Sequence, residues 1–185
     1  MKIRTNLINI ALFVAVLGLS QLSACSLAGQ APSTPTLYWS KSSEGTIATN
    51  DVARLRKEIP FSIILPEYLP GGPESYKLDM LFHTLIEQVP ILSIDYYSLT
   101  TAREIHITES QPSDPYPKPL DYTPIELAGV AVLENRGYGE VIRNAKTIQV
   151  SGINYIWERN DLVFSVRVLG YGQADARKIV ESMIK

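Results

Sequence analysis

The chain is expected to fold as an α+β domain, an antiparallel sheet packed against a C-terminal helix and a short N-terminal helix. Apolar and polar residues alternate with period two over several segments beyond residue 75, the pattern of half-buried strands. Near the end, Ala176, Ile179, Val180, Met183 and Ile184 fall at i, i+3, i+4, i+7 and i+8, forming one apolar helical stripe. Such a stripe must be covered, and the apolar faces of the strands are the candidate cover.

The first segment is not part of that domain. Residues 1–6 are short and basic, with Lys2 and Arg4, and residues 7–19 (LINIALFVAVLGL) are apolar except for Asn9. That run is the length of a signal-peptide core and shorter than the roughly 20 residues a membrane-spanning helix needs. Leu22-Ser23-Ala24-Cys25 follows, and Cys25 is the single cysteine of the chain. This box, in this position, resembles the lipobox of bacterial lipoproteins. The resemblance implies a diacylglyceryl group on Cys25 and cleavage between Ala24 and Cys25. Two or three acyl chains hold a protein firmly on a bilayer, where one chain binds only marginally. The competing readings are an ordinary secretory signal and an uncleaved anchor. A lone free cysteine in an exported chain favours the lipid. The expected location is the cell membrane or outer membrane, facing outside the cytoplasm. Ser26, rather than Asp, favours the outer membrane where a cell has two.

Residues 1–24 are thus read as a lipoprotein signal peptide, 25–44 as a flexible tether and 45–185 as a single domain. The tether stretch is rich in Ser, Thr, Pro, Gly and Ala, interrupted by Leu37, Tyr38 and Trp39, which fold back or form an edge strand. Beyond residue 24, losing Lys2 and Arg4 leaves 15 basic side chains against 19 acidic ones, a formal charge of −4. Nucleic acid, or an anionic lipid surface, is not expected to be held by bulk charge. No disulfide within the chain, no cysteine-based metal site and no cofactor are expected.

Residues 49–58 read as a short helix, capped by Thr49 or Asn50, with Val52, Leu55 and Ile59 on one face and Pro60 ending it. Residues 61–65 (FSIIL) read as a short strand, and residues 66–73 (PEYLPGGP) as a rigid turn. Tyr76, Leu78, Met80 and Phe82 mark one strand, Leu92, Ile94 and Tyr96 the next, and Ile105 and Ile107 another. Residues 111–124 carry five prolines and read as a long loop. Residues 126–133 read as a strand, Gly137-Tyr138-Gly139 as a turn, and 141–150 as mixed. Residues 153–158 and 162–169 read as a hairpin whose turn, Asn160-Asp161, tolerates positive φ. Gly170-Tyr171-Gly172 then ends the sheet, and 174–184 is the helix, with Glu181 and Lys185 spaced to pair.

A second resemblance covers residues 48–185. Residues 59–72 (IPFSIILPEYLPGG), the following strands, residues 153–168 (INYIWERNDLVFSVRV) and the helix after residue 174 are similar to a bacterial domain family of uncharacterised function. That family occurs in extracytoplasmic lipoproteins and in the outer halves of anti-sigma-type membrane proteins. The proline-rich loop departs from its pattern. The resemblance implies no enzymatic activity and supplies no catalytic residue.

The residues themselves point the same way. His83 and His106 are the only histidines, and two imidazoles without a placed carboxylate make a poor metal site. There is no Gly-x-Ser-x-Gly, and Ser182-Met183-Ile184-Lys185 lacks the partner motifs of Ser-x-x-Lys enzymes. Glu67 and Glu74 are a weak carboxylate pair. Tyr96, Tyr97, Tyr116, Tyr122 and Tyr138 supply aromatic area with a polar handle, and Tyr116 and Tyr122, among the prolines, are the candidate partner surface. The expected function is a membrane-anchored, non-enzymatic binding, sensory or interaction module. Its partner would be an unknown protein or a small apolar ligand. The alternatives are a carrier of a lipid or other apolar ligand, recognisable by a pocket of several hundred Å³, and a hydrolase of unfamiliar type.

Overall fold

A computed structural model describes residues 36–84, 89–112 and 121–184. They form nine strands and one long helix. The strands are β1 (Trp39–Lys41), β2 (Ile47–Thr49), β3 (Tyr76–Thr84), β4 (Pro90–Ser98), β5 (Glu104–Ser110), β6 (Thr123–Leu127), β7 (Val130–Arg143), β8 (Lys146–Arg159) and β9 (Leu162–Leu169). The helices are α1 (Val52–Leu55) and α2 (Gln173–Ile184), with a 3₁₀ turn at Pro73–Ser75. The strands make one antiparallel sheet in the order β1-β2-β3-β4-β5-β9-β8-β7-β6. Two meanders meet in its middle. β1 to β5 run in from one edge, the chain crosses to the far edge, and β6 to β9 return until β9 lies beside β5.

The register sorts the side chains into two faces. Across the middle of the core face, Met80 opposes Ile94, Ile94 opposes Ile107, Ile107 opposes Val166 and Val166 opposes Tyr155. These five are buried, as are their neighbours Leu92, Ile105, Phe164, Val168, Ile153 and Trp157. The alternation is strict in β4 and β5, as period-two patterning requires. Two elements cover this face. Helix α2 buries Ala176, Ile179, Val180, Met183 and Ile184, the stripe expected from the spacing. Each of the four larger side chains contributes about 1.5–3 kcal/mol when taken from water. Residues 61–69 form a strap that buries Ile63 and Leu69.

The fold therefore is mostly sheet, and the α+β label fits it loosely. Helix α1 is four residues long, capped by the Asp51 carboxylate on the Arg54 N–H, because Thr49 is committed to β2. Residues 61–65 are not a strand. Pro60 and Pro66 bound the segment, and its Ile64 N–H goes to a side chain, Glu109, instead of a ladder. The strand expected at 126–133 is split into β6 and β7 by a turn in which Ala128 and Gly129 take positive φ. Gly137-Tyr138-Gly139 does not turn the chain; it lies inside β7, and the turn falls at Asn144 and Ala145, both at positive φ. The hairpin at Asn160-Asp161 is present as expected, with φ of 52° and 58°. Trp39–Lys41, inside the stretch expected to be tether, is an edge strand on β2. The Glu181–Lys185 pair involves a residue outside those described.

Candidate functional site

The face opposite the core is polar. Across it the register aligns Asp79, Asp95, His106, Arg167, Asn154 and Asn135 on six adjacent strands. Alternation places each of them there, one residue out of phase with the buried row. Near the centre, His106 Nδ1 lies 2.7 Å from Asp95 Oδ1 and its Nε2 lies 3.0 Å from Glu104 Oε2. Ionised carboxylates only accept, so two of them on one ring favour its protonated, doubly donating form. Burial works against that charge, but the hydrogen bond and charge of Asp95, then those of Glu104, outweigh it and raise the imidazole pKa. Tyr97 stands edge-on to the ring, with centroids 6.2 Å apart. Burial first, and then the surrounding charges of Asp95, Glu104 and Asp79, push its phenol up to about 12. Beyond Asp79, Lys77 Nζ pairs with its Oδ2 at 2.7 Å and the Tyr38 hydroxyl hydrogen-bonds its Oδ1.

An arm bounds one end of this face. β7 and β8 each run 14 residues, and their outer halves continue beyond the register that starts at Gly152 and Leu169. Glycine permits the curl. A Cβ at Gly139 would sit 2.6 Å from Leu169 Cδ2 and 2.8 Å from Arg167 Nη2, both on the outer face. The arm buries Val141, and at its tip Arg143 donates to the carbonyls of Ser98, Leu99 and Thr101 in the turn between β4 and β5. A cleft of about 290 Å³ remains, bordered by Lys77, Tyr97, Leu99, Arg103, Glu104 and Ile142.

This arrangement fixes a pattern of charge on the open face. A general base needs a ring nitrogen with a free lone pair near the group it deprotonates. Both ring nitrogens of His106 face carboxylates, and Ser93 and Thr108 occupy the adjoining row of the same face. His83 lies on β3, with β4 between it and the strand of His106, so the two histidines are not neighbours. Among the described residues no group of three or more His, Cys, Asp or Glu side chains is placed to hold a metal ion.

Ala24, Cys25 and Tyr116 lie outside the described residues. Tyr122 is half-buried directly before β6. The other tyrosines do not share a groove. Tyr96 is in the core, Tyr97 is on the opposite face, and Tyr138 is 77 % exposed on the arm. Glu67 is exposed on the strap. Ser182 is buried: it accepts the Tyr68 N–H at 3.1 Å and donates to the Ile179 carbonyl.

Four charged residues gain roles that sequence reasoning did not assign. Asp95 and Glu104 bracket His106, and no spacing announces this because it depends on register. Glu109 continues the phase of Ile105 and Ile107, which is a legible sign that its side chain enters the core. It is 0 % exposed there, between Leu92 and Phe164. Glu134 is also buried, on β7. It holds Arg136 at 2.7 Å and, from α2, Arg177 at 3.4 Å, and these cations bring its pKa down against the effect of burial.

An open antiparallel sheet covered on one face by a helix and a strap, with a polar face left open, describes the class of domain. Comparison with protein-family models, with curated proteins and with solved structures finds no match for the chain.

Proposed function

We propose that the chain is a bacterial lipoprotein, held to the cell membrane or outer membrane by a lipid on Cys25. Its domain would act as a non-enzymatic binding or sensory module, with the polar face under the arm as its working surface. The lipobox, its place after a basic start and apolar core, and the absence of a second cysteine support the anchor. The observation that carries the non-enzymatic part is the bracketing of His106 by Asp95 and Glu104. It leaves a fixed pattern of charge that suits recognition, with both ring nitrogens engaged by carboxylates. The same proposal takes the domain as related to the extracytoplasmic family named above. The segments behind that resemblance are the strap and the β8–β9 hairpin, which are structural.

Cell fractionation tests the first part. The chain is expected with membranes, and Cys25→Ser in the unlipidated or uncleaved form. Affinity capture from membranes with the two forms then reports partners that require the anchored position. Hydrolysis of esters, peptides or glycans by the purified domain would overturn the second part.

A carrier of apolar ligands is the second reading. Its support is a groove of about 340 Å³ at the β6 edge, lined by Pro124, Val130, Val132, Leu133, Ile156 and Trp157. Quenching or a spectral shift of Trp157 on addition of a fatty acid would favour it.

A further inference from the structure

We propose that the end of the sheet formed by the arm tip and the β4–β5 turn makes direct contact with an anionic lipid surface. Large apolar side chains are exposed here together: Ile142 is 75 % exposed, Leu99 58 % and Tyr138 77 %. Tyr138 and Ile142 share the outward phase of β7, and Arg143 fastens the strand carrying them to the turn that carries Leu99. Apolar tips of this kind enter the boundary between headgroups and acyl chains when cations surround them. Arg103 borders the same cleft as Leu99 and Ile142, and Lys146 opposes Arg143 across the hairpin turn. Of the acids nearby, Glu104 is held by His106, and Glu140, exposed between Tyr138 and Ile142 on the same phase of β7, offsets one of the three cations Arg103, Arg143 and Lys146. A local excess of positive charge therefore stands on a chain whose formal net charge is −2.

The lipid contact does not rest on the anchor proposed above, and it is tested without that anchor.

The test uses the processed chain from residue 25 carrying Cys25→Ser, sedimented with vesicles. It is expected to bind vesicles containing phosphatidylglycerol, to bind phosphatidylcholine vesicles much less, and to be released by salt. Lys146→Gln should weaken binding about fivefold, and Ile142→Ser about tenfold. Lys178→Gln, the same charge change on α2, should leave it unaltered. All three side chains are exposed or largely so, and unchanged circular dichroism confirms each fold. Failure to bind the anionic vesicles would overturn the proposal. So would equal binding to both lipids, or equal weakening by Lys178→Gln, which would mean bulk charge. Full binding by Ile142→Ser would remove the arm tip from the contact.

Discussion

Glu109 Oε1 accepts the backbone N–H of Ile64 at 2.9 Å, which ties the strap to the middle of the sheet across a sequence separation of 45. The other oxygen of this carboxyl has no hydrogen-bond partner among the described residues. Burial pushes its pKa from the ordinary 4.5 up to about 8, and the Ile64 N–H opposes that shift only in part. A carboxyl whose pKa rises on folding favours the fold in its neutral form. Its contribution is fully present below about pH 4.5 and is lost as pH rises through about 8. Glu109→Gln copies the neutral shape and cannot ionise. Thermal melts across pH should show the native chain losing stability toward pH 8 while the variant does not. Parallel curves would contradict the burial of an unpaired carboxyl at this position.

His106 carries the opposite sign of linkage. Its pKa is raised above 6.5 by folding, through Asp95 and Glu104 acting against burial. The stabilisation is present in full below pH 6.5 and is lost as pH rises through the elevated folded value. The site is partly open to solvent, so the gain is about 1 kcal/mol or less. An NMR titration of the imidazole should place its midpoint above 6.5 and show it falling in Asp95→Asn. An unchanged midpoint in that variant would remove Asp95 as a partner.

Ser182 joins the strap to α2 through the Tyr68 N–H, and the Tyr68 hydroxyl reaches Asp175 on the same helix. Ser182→Ala removes the acceptor and leaves a shielded N–H unpaired. That loss costs about 1–3 kcal/mol, readable as a lower midpoint of urea unfolding at unchanged slope. Tyr68→Phe, which removes only a part-buried hydroxyl, should cost less.

Much of this architecture is legible in the sequence, and the reasons are local. The period-two runs of β3, β4 and β5, the Asn160-Asp161 hairpin and the stripe of α2 each follow from a few neighbouring residues. The misreadings share one cause. Residues 61–65 have strand composition, yet their hydrogen-bond partners lie elsewhere in the chain, at Glu109. Gly137 and Gly139 carry turn chemistry, but here glycine serves close approach to Leu169 and Arg167. The His106 cluster needs the β4–β5 register, which no spacing within either strand specifies. The short β6–β7 turn at Ala128-Gly129 was hidden in an apolar run that read as one strand.

The anchor is the central claim, and the mass of the first peptide of the protein recovered from membranes tests it most directly. The account predicts a peptide beginning at Cys25 with a diacylglyceryl group on its sulfur. A chain that begins at another residue, or that begins at Cys25 with a free thiol, would contradict it.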